Sequence, residues 1–360
     1  MRYFLMVFTV LILIPVYGQN WEVNKEQLRT KWADDVSPEN VWSQYPRPQL
    51  QRKEWVNLNG LWNYEIVAKD SPVPKSFNKH ILVPFPVESA LSGVKKKVGS
   101  DKKVWYQTNL SIPQDWDSPY VALHFEAVDW ETEVWFNGKK LGVHKGGYDH
   151  FKFIISSSEF NGENSLVVGV SDPTDQSWQA LGKQVEKPGG IFYTSVTGIW
   201  QTVWIEPLNE VYLESFQSQT EIENPLLRLF PEINTTNNNI SIDVKAFFKG
   251  ELVGEYQGKV KKELEIELSQ KHLWSPETPN LYDLEISILQ DKKVVDRINS
   301  YFGLRSLKLA KDKDGYQRLF LNGKSVFHNG PLDQGYWPDG LYTPPTEEAM
   351  LYDLKVTKKL

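Results

Sequence analysis

Short runs in which apolar and polar residues alternate organise this chain, and a helical stripe forms only at its end. Residues 61–67, 80–83, 104–112, 120–125, 132–136, 151–155, 165–170 and 202–205 read as strands. Pro84 and Pro113 close two of these runs, because proline cannot donate to a sheet ladder. Asn137-Gly138 lies between strand-like residues 133–136 and 139–143. It predicts a tight hairpin, since both turn positions need a positive φ. Short strands with turn signals between them over 57–208 predict a jelly-roll-like sandwich.

A second set occupies 209–302, with strands expected at 211–216, 240–248, 264–268, 281–289 and 294–301. The alternation is cleanest at 240–244 and 264–268, and the set predicts an immunoglobulin-like sandwich. Beyond Gly303 the character changes. Residues 316–321 and 325–327 flank a second hairpin signal, Asn322-Gly323, and a loop rich in Gly, Pro, Tyr and Trp fills 330–345. Residues 346–360 predict a helix. Thr346 can cap it, Glu347 and Glu348 suit the positive first turn, and Met350, Leu351 and Leu354 form an apolar stripe. The helical pattern still runs at Leu360. That stripe and the aromatics of 336–342 are expected to lie uncovered, leaving residues past about 310 mobile or aggregation-prone.

The N-terminus carries a positive start, Met1-Arg2, an apolar run over 4–16 and a small residue at Gly18. This pattern predicts a secretory signal peptide over 1–18, cleaved near Gly18. The protein is then expected to be secreted or periplasmic, with no membrane attachment after cleavage. Residues 19–56, polar and rich in Trp, Pro and Gln, read as an extended arm.

Composition narrows the function. With 14 Trp, 16 Tyr and 17 Phe, the chain offers many flat apolar platforms of the kind that sugar C–H faces stack on, although each ring also suits a sandwich core. The net charge is −6, with no basic stripe, which argues against a nucleic-acid partner. There is no Cys, and the six His do not cluster with carboxylates at ligand spacing. No metal and no cofactor is expected. Asn109-Leu110-Ser111 and Asn239-Ile240-Ser241 match a glycosylation acceptor pattern that is common by chance.

Several segments, in order, carry a family likeness. They include Leu58-Asn59-Gly60-Leu61-Trp62, Val83-Pro84-Phe85-Pro86-Val87-Glu88-Ser89, Phe125-Glu126-Ala127-Val128-Asp129 and Thr197-Gly198-Ile199-Trp200-Gln201 in the first sandwich. Leu273-Trp274-Ser275-Pro276-Glu277, Pro279-Asn280-Leu281-Tyr282 and Tyr301-Phe302-Gly303-Leu304-Arg305 follow. Over about residues 55–360 the chain resembles glycoside hydrolase family 2, which holds β-galactosidases, β-glucuronidases and β-mannosidases. The resemblance implies a mainly β fold: a jelly-roll sugar-binding domain, an immunoglobulin-like domain, then a (β/α)8 barrel. Such a barrel takes roughly 250 residues, so 303–360 are expected to be only its truncated start.

A retaining glycosidase uses two carboxyl groups about 5–5.5 Å apart, one as acid/base and one as nucleophile. The resemblance implies two Glu on later barrel strands, the acid/base preceded by Asn. Glu163-Asn164 and Glu39-Asn40 have the reverse order, so no catalytic residue is assigned. The chain is expected to be the N-terminal part of a secreted retaining hydrolase, β-galactosidase-like, and inactive alone. The alternative is a free-standing secreted carbohydrate-binding protein. Its partner is expected to be a β-galactoside or related glycan, and an oligomer stays open.

Four residues are candidates for sugar contact. Asp172, in the loop after strand 165–170, could accept from hydroxyls or form an Asx turn before Pro173. Trp178 could stack on sugar or pack under its loop. Asp333 and Trp337, with Gln334 and Tyr336, lie in the loop where the likeness puts a barrel mouth, and His328 before them suits a structural hydrogen bond.

Overall fold

The computed structural model describes residues 21–25, 28–236 and 239–360, and the expected signal peptide lies outside them. Two antiparallel sheets form the first sandwich. One runs in the order Val56–Asn57, Val203–Leu208, Tyr120–Phe125, Phe151–Ser156. The other runs Lys79–Val83, Gly60–Ala68, Lys102–Asn109, Ser165–Ser171, Glu131–Phe136, Lys139–Lys145. Alternation decides the burial: Trp62, Tyr106, Leu123, Phe125, Phe136, Val168 and Ile205 point into one shared core. The last two strands of the larger sheet are joined as the sequence predicts, with Asn137 at φ 49° and Gly138 at φ 78°.

The second sandwich pairs Leu213–Glu221, Leu226–Ile233 and Leu264–Glu267 in one sheet. Glu251–Lys259, Ile240–Phe248, Tyr282–Gln290 and Lys293–Phe302 make the other. Leu229, Ile242, Ile266, Ile286 and Ile298 fill its core. Two of these strands are absent from the sequence reading, each for a physical reason. Leu226–Ile233 contains Pro231, which argues against a strand. Its neighbour Leu264–Glu267 pairs only with 226–229, so Pro231 sits where no ladder on that side asks for its N–H. Glu251–Lys259 is broken by Gly254 and Gly258, and a Cβ at Gly254 would lie 2.6 Å from the Glu267 carbonyl oxygen. The glycine is there because another backbone passes close by.

Past Gly303, the strands Leu307–Lys311, Gln317–Leu321 and Lys324–Val326 form an antiparallel sheet that is mostly exposed, and no barrel strand is present among the described residues. The helix Glu347–Lys359 begins on Thr346, whose Oγ1 accepts from Ala349 N at 3.2 Å.

The expectation that the aromatics of 336–342 lie uncovered is corrected. That stretch is a strap docked on the first sandwich and the arm. Leu341 is buried, and Asp339 is buried with Oδ2 accepting from Thr30 N at 2.8 Å and Thr30 Oγ1 at 2.7 Å. Leu91 N donates to Asp339 O at 3.1 Å. Thr343 Oγ1 lies 2.6 Å from the Trp200 carbonyl oxygen, and Trp42 Nε1 donates to Pro344 O at 2.9 Å. Met350, Leu351 and Leu354 do face solvent.

Candidate functional site

The strap meets one end of the first sandwich, where three carboxyl groups lie buried. Glu88 follows the strand Lys79–Val83, Asp129 precedes Glu131–Phe136, and Asp172 follows Ser165–Ser171. All three are buried. Glu88 Oε2 accepts from Thr197 N at 2.9 Å and its Oε1 from Ser195 Oγ at 3.4 Å. Asp129 Oδ2 accepts from Gln184 Nε2 at 2.8 Å, while Gln184 Oε1 accepts from Val196 N at 2.6 Å. Gly147 makes room for Asp129, since a Cβ there would stand 2.5 Å from Asp129 Oδ1.

Burial governs the charge of this cluster. It pushes the Glu88 carboxyl up to about 7, with the hydrogen bonds from Thr197 opposing and the Asp172 charge adding. Asp129 is raised well above the carboxylate range by burial, then by the negative charges of Asp172 and Glu88. Asp172 is raised by burial against two hydrogen bonds from Thr174. Crowded buried carboxyls resist ionising together, so part of the cluster keeps its protons at neutral pH.

Aromatic side chains wall the cluster. Tyr148 Oη lies 3.3 Å from Gln184 Nε2 and 3.1 Å from Tyr342 Oη. Tyr336 donates to Thr194 O at 2.8 Å and stacks on Tyr193 with ring centroids 4.1 Å apart. Trp200 packs on Tyr342 at 5.2 Å and donates through Nε1 to Gly147 O at 2.7 Å. Outside this wall the loop 173–195 carries Trp178, 89 % exposed, and Ile191, 68 % exposed, with Phe192 beside them. Single exposed apolar side chains need no explanation, but three on one loop beside a polar cluster make a candidate contact surface.

The four candidates from the sequence fall in different places. Asp172 is buried beneath its loop and forms the Asx turn, with Oδ1 accepting from Thr174 N at 2.8 Å and Oδ2 from Thr174 Oγ1 at 3.0 Å. Trp178 is free of the packing that would hide it. Trp337 is half-buried in the strap, its backbone bridged to Leu341, while Asp333 is exposed and closes a turn by accepting from Gly335 N at 2.8 Å. His328 is exposed. The sequence reading misses Asp129, Gln184, Tyr148 and Tyr342 as site residues. Glu88, Asp129 and Trp200 stand inside the segments that carry the family likeness, and that was the available signal. Among the described residues, no group of three or more His, Cys, Asp and Glu side chains is arranged to hold a metal ion.

Two antiparallel sandwiches stand in series, and the first ends in an acid cluster behind tyrosines with an exposed tryptophan loop. Known families place the chain. The family description "Glycosyl hydrolases family 2, sugar binding domain" matches residues 27–205, and "Glycosyl hydrolases family 2" matches 229–305. The chain belongs to glycosyl hydrolases family 2. Among its relatives, a putative beta-glucuronidase of Formosa agariphila is 28% identical over 346 residues, covering 86% of this chain and 30% of that protein. A beta-galactosidase of Lactococcus lactis is 24% identical over 365 residues, covering 92% of this chain and 34% of that protein. The chain thus spans about a third of the length of the curated relatives it matches. The crystal structure of Ruminococcus gnavus beta-glucuronidase superimposes with a TM-score of 0.71 at 19% identity, over 88% of this chain and 55% of that one, a likeness of fold.

Proposed function

We propose that this chain serves as the N-terminal part of a secreted retaining β-glycoside hydrolase of β-galactosidase-like type, and that alone it holds sugar without cleaving it. Its two sandwiches act as a jelly-roll sugar-binding domain and an immunoglobulin-like domain. The observation that carries the reading is the family match running through both sandwiches. The names of the relatives, beta-glucuronidase and beta-galactosidase, support a substrate among β-linked O-glycosides. The exposed Trp178 loop supplies an apolar face for a sugar ring, next to polar groups that the strap holds still. The carboxyls of Glu88, Asp129 and Asp172 sit behind tyrosines and accept from neighbouring groups, and in this reading they shape the face that holds sugar.

The purified chain, assayed with the p-nitrophenyl β-glycosides of galactose, glucuronic acid and mannose, is expected to release no nitrophenol above the blank. Titration with the matching methyl glycosides is expected to give millimolar binding that Trp178→Ala weakens several-fold. Turnover by the chain, or no binding of any glycoside at millimolar concentration, overturns the reading. Secretion is tested by sequencing the mature N-terminus from an exporting host; a chain that keeps Met1 overturns cleavage near Gly18.

A second reading, a free-standing carbohydrate-binding protein, draws on the same Trp178 face. It is distinguished by a gene whose downstream frame encodes no further hydrolase sequence.

A further inference from the structure

We infer that the cleft between the N-terminal arm and the start of the helix Glu347–Lys359 is a binding site for an uncharged saccharide, separate from the tyrosine-walled cluster. The cleft has a volume of about 440 Å3, and small-molecule sites span roughly 300–1,000 Å3. Trp32 and Trp42 line it together with the amides of Asn40 and Gln44. Indole faces take the C–H side of a pyranose, and planar amides and carboxylates take its hydroxyls.

The lining is built to stay in place. Ala33, Val36 and Val41 anchor the arm in a small core with Leu82, Phe85 and Leu91. The Trp42 ring is fixed by its hydrogen bond to Pro344 O, and its carbonyl oxygen accepts from Asn57 Nδ2 at 2.7 Å. Trp42 adopts φ 46°, a left-handed conformation that a bulky residue keeps only when its surroundings impose it. Asn40 is held through Oδ1, which accepts from Ser37 N at 3.0 Å. A site that is already ordered loses less entropy on binding.

Charge selects the ligand. Asp35, Glu347 and Glu348 line the cleft, and no lysine or arginine does. Lys31 lies nearby, its ammonium 4.8 Å from the Trp32 ring and 5.2 Å from the Tyr352 ring, and offsets one of these three negative charges. Carboxylates accept from sugar hydroxyls and repel uronates and sulfate esters. A neutral pyranoside is therefore the class that fits. The inference does not depend on hydrolysis or on the Trp178 face.

The test is a titration of the full chain, isotope-labelled at its indole nitrogens, with cellotetraose, mannotetraose and trigalacturonate. The Trp32→Phe variant assigns the Trp32 signal. At least one neutral tetrasaccharide is expected to shift the Trp32 and Trp42 resonances at millimolar concentration, and trigalacturonate to shift neither. Gln44→Ala and Glu347→Ala remove side chains that reach solvent at the cleft, and each is expected to weaken binding several-fold, the effect of one lost hydrogen bond. Trp178→Ala is expected to leave these shifts unchanged. No response of Trp32 and Trp42 to either neutral sugar overturns the inference. So does an equal response to trigalacturonate, unchanged affinity in both cleft variants, or loss of the response in Trp178→Ala. Because Trp178 reports on the first-sandwich face alone, either site can fail without the other.

Discussion

The Arg52 guanidinium grips the Asp296 carboxylate with two parallel hydrogen bonds, 2.9 Å from Nε to Oδ1 and 2.8 Å from Nη2 to Oδ2. Its remaining nitrogen, Nη1, donates to Glu206 at 2.9 Å. Asp296 belongs to the second sandwich and Glu206 to the first, so one side chain of the arm joins the two. Backbone bonds repeat the stitch: Gln51 and Asn299 exchange N–H···O contacts of 2.9 Å in both directions. All three charged side chains are buried, which makes the geometry decisive, because a buried charge without its partner is costly.

Arg52→Met is therefore expected to lower stability by about 3–5 kcal/mol, since it strands Asp296 and one side of Glu206. Arg52→Lys keeps the charge but not the fork and should recover only part of the loss. Urea titration of the three proteins measures both effects. A midpoint for Arg52→Met close to the parent's would show that the clamp contributes little.

Glu206 also accepts from His124 Nε2 at 3.1 Å, and His124 Nδ1 lies 2.9 Å from His150 Nε2. Burial depresses both imidazoles, His124 to about 3 and His150 to about 4, from an ordinary 6.5; the positive Arg47 guanidinium adds to the effect. Between pH 6.5 and about 4 the unfolded chain takes up protons that the folded one refuses. This stability is fully present above pH 6.5 and is lost as the pH falls through that window. His150→Gln, which keeps an N–H donor for His124, should flatten the acid side of a plot of melting temperature against pH. An unchanged slope would exclude His150 as its source.

Glu88 works in the opposite direction. Its folded pKa of about 7 exceeds the ordinary 4.5, so its folded form holds a proton that the unfolded form releases between those values. Stability from this group is complete below pH 4.5 and falls as the pH rises to about 7, by roughly 3 kcal/mol. Glu88→Gln removes the titration while keeping the size. It should be relatively more stable than the parent at pH 8 than at pH 5. An equal difference at both values would mean that Glu88 ionises normally.

The strap should exchange its amides slowly. Trp337 N and Leu341 N bond to each other's carbonyl oxygens at 2.7 and 3.0 Å, and Thr343 N donates to Gly340 O at 3.1 Å. Hydrogen exchange is expected to protect 337–343 well above the exposed stretch 327–335. Asp339→Ala, which leaves both Thr30 donors without a partner, should erase that protection and cost about 1–3 kcal/mol. Equal exchange across the two stretches would show that the docking contributes nothing to local stability.

Local patterning carried much of the fold. Period-two alternation in Ile240–Phe248, the Asn137-Gly138 and Asn322-Gly323 turns and the Thr346 cap are each set by neighbours in sequence, and each is present in the structure. Leu226–Ile233 and Glu251–Lys259 are absent from the reading; they hold Pro231 and Gly254, whose tolerance in a strand depends on which backbone lies alongside. The site was harder to read. Trp178 was picked out from its type and loop, and its exposure was left for the structure to decide. Asp129, Gln184, Tyr148 and Tyr342 come from four separate segments, and no local pattern ties them together.

The sequence by itself determined most of the strands, the two sandwich-sized sets of them and the likeness to a family of sugar hydrolases, because these depend on residue type and short-range order. Tertiary structure alone decided that Arg52 joins the sandwiches, that Asp172 turns inward to Thr174, and that the strap docks on the first sandwich and the arm through Tyr336 and Asp339. Those outcomes depend on which distant groups share a buried, low-dielectric space, where a missing partner costs most.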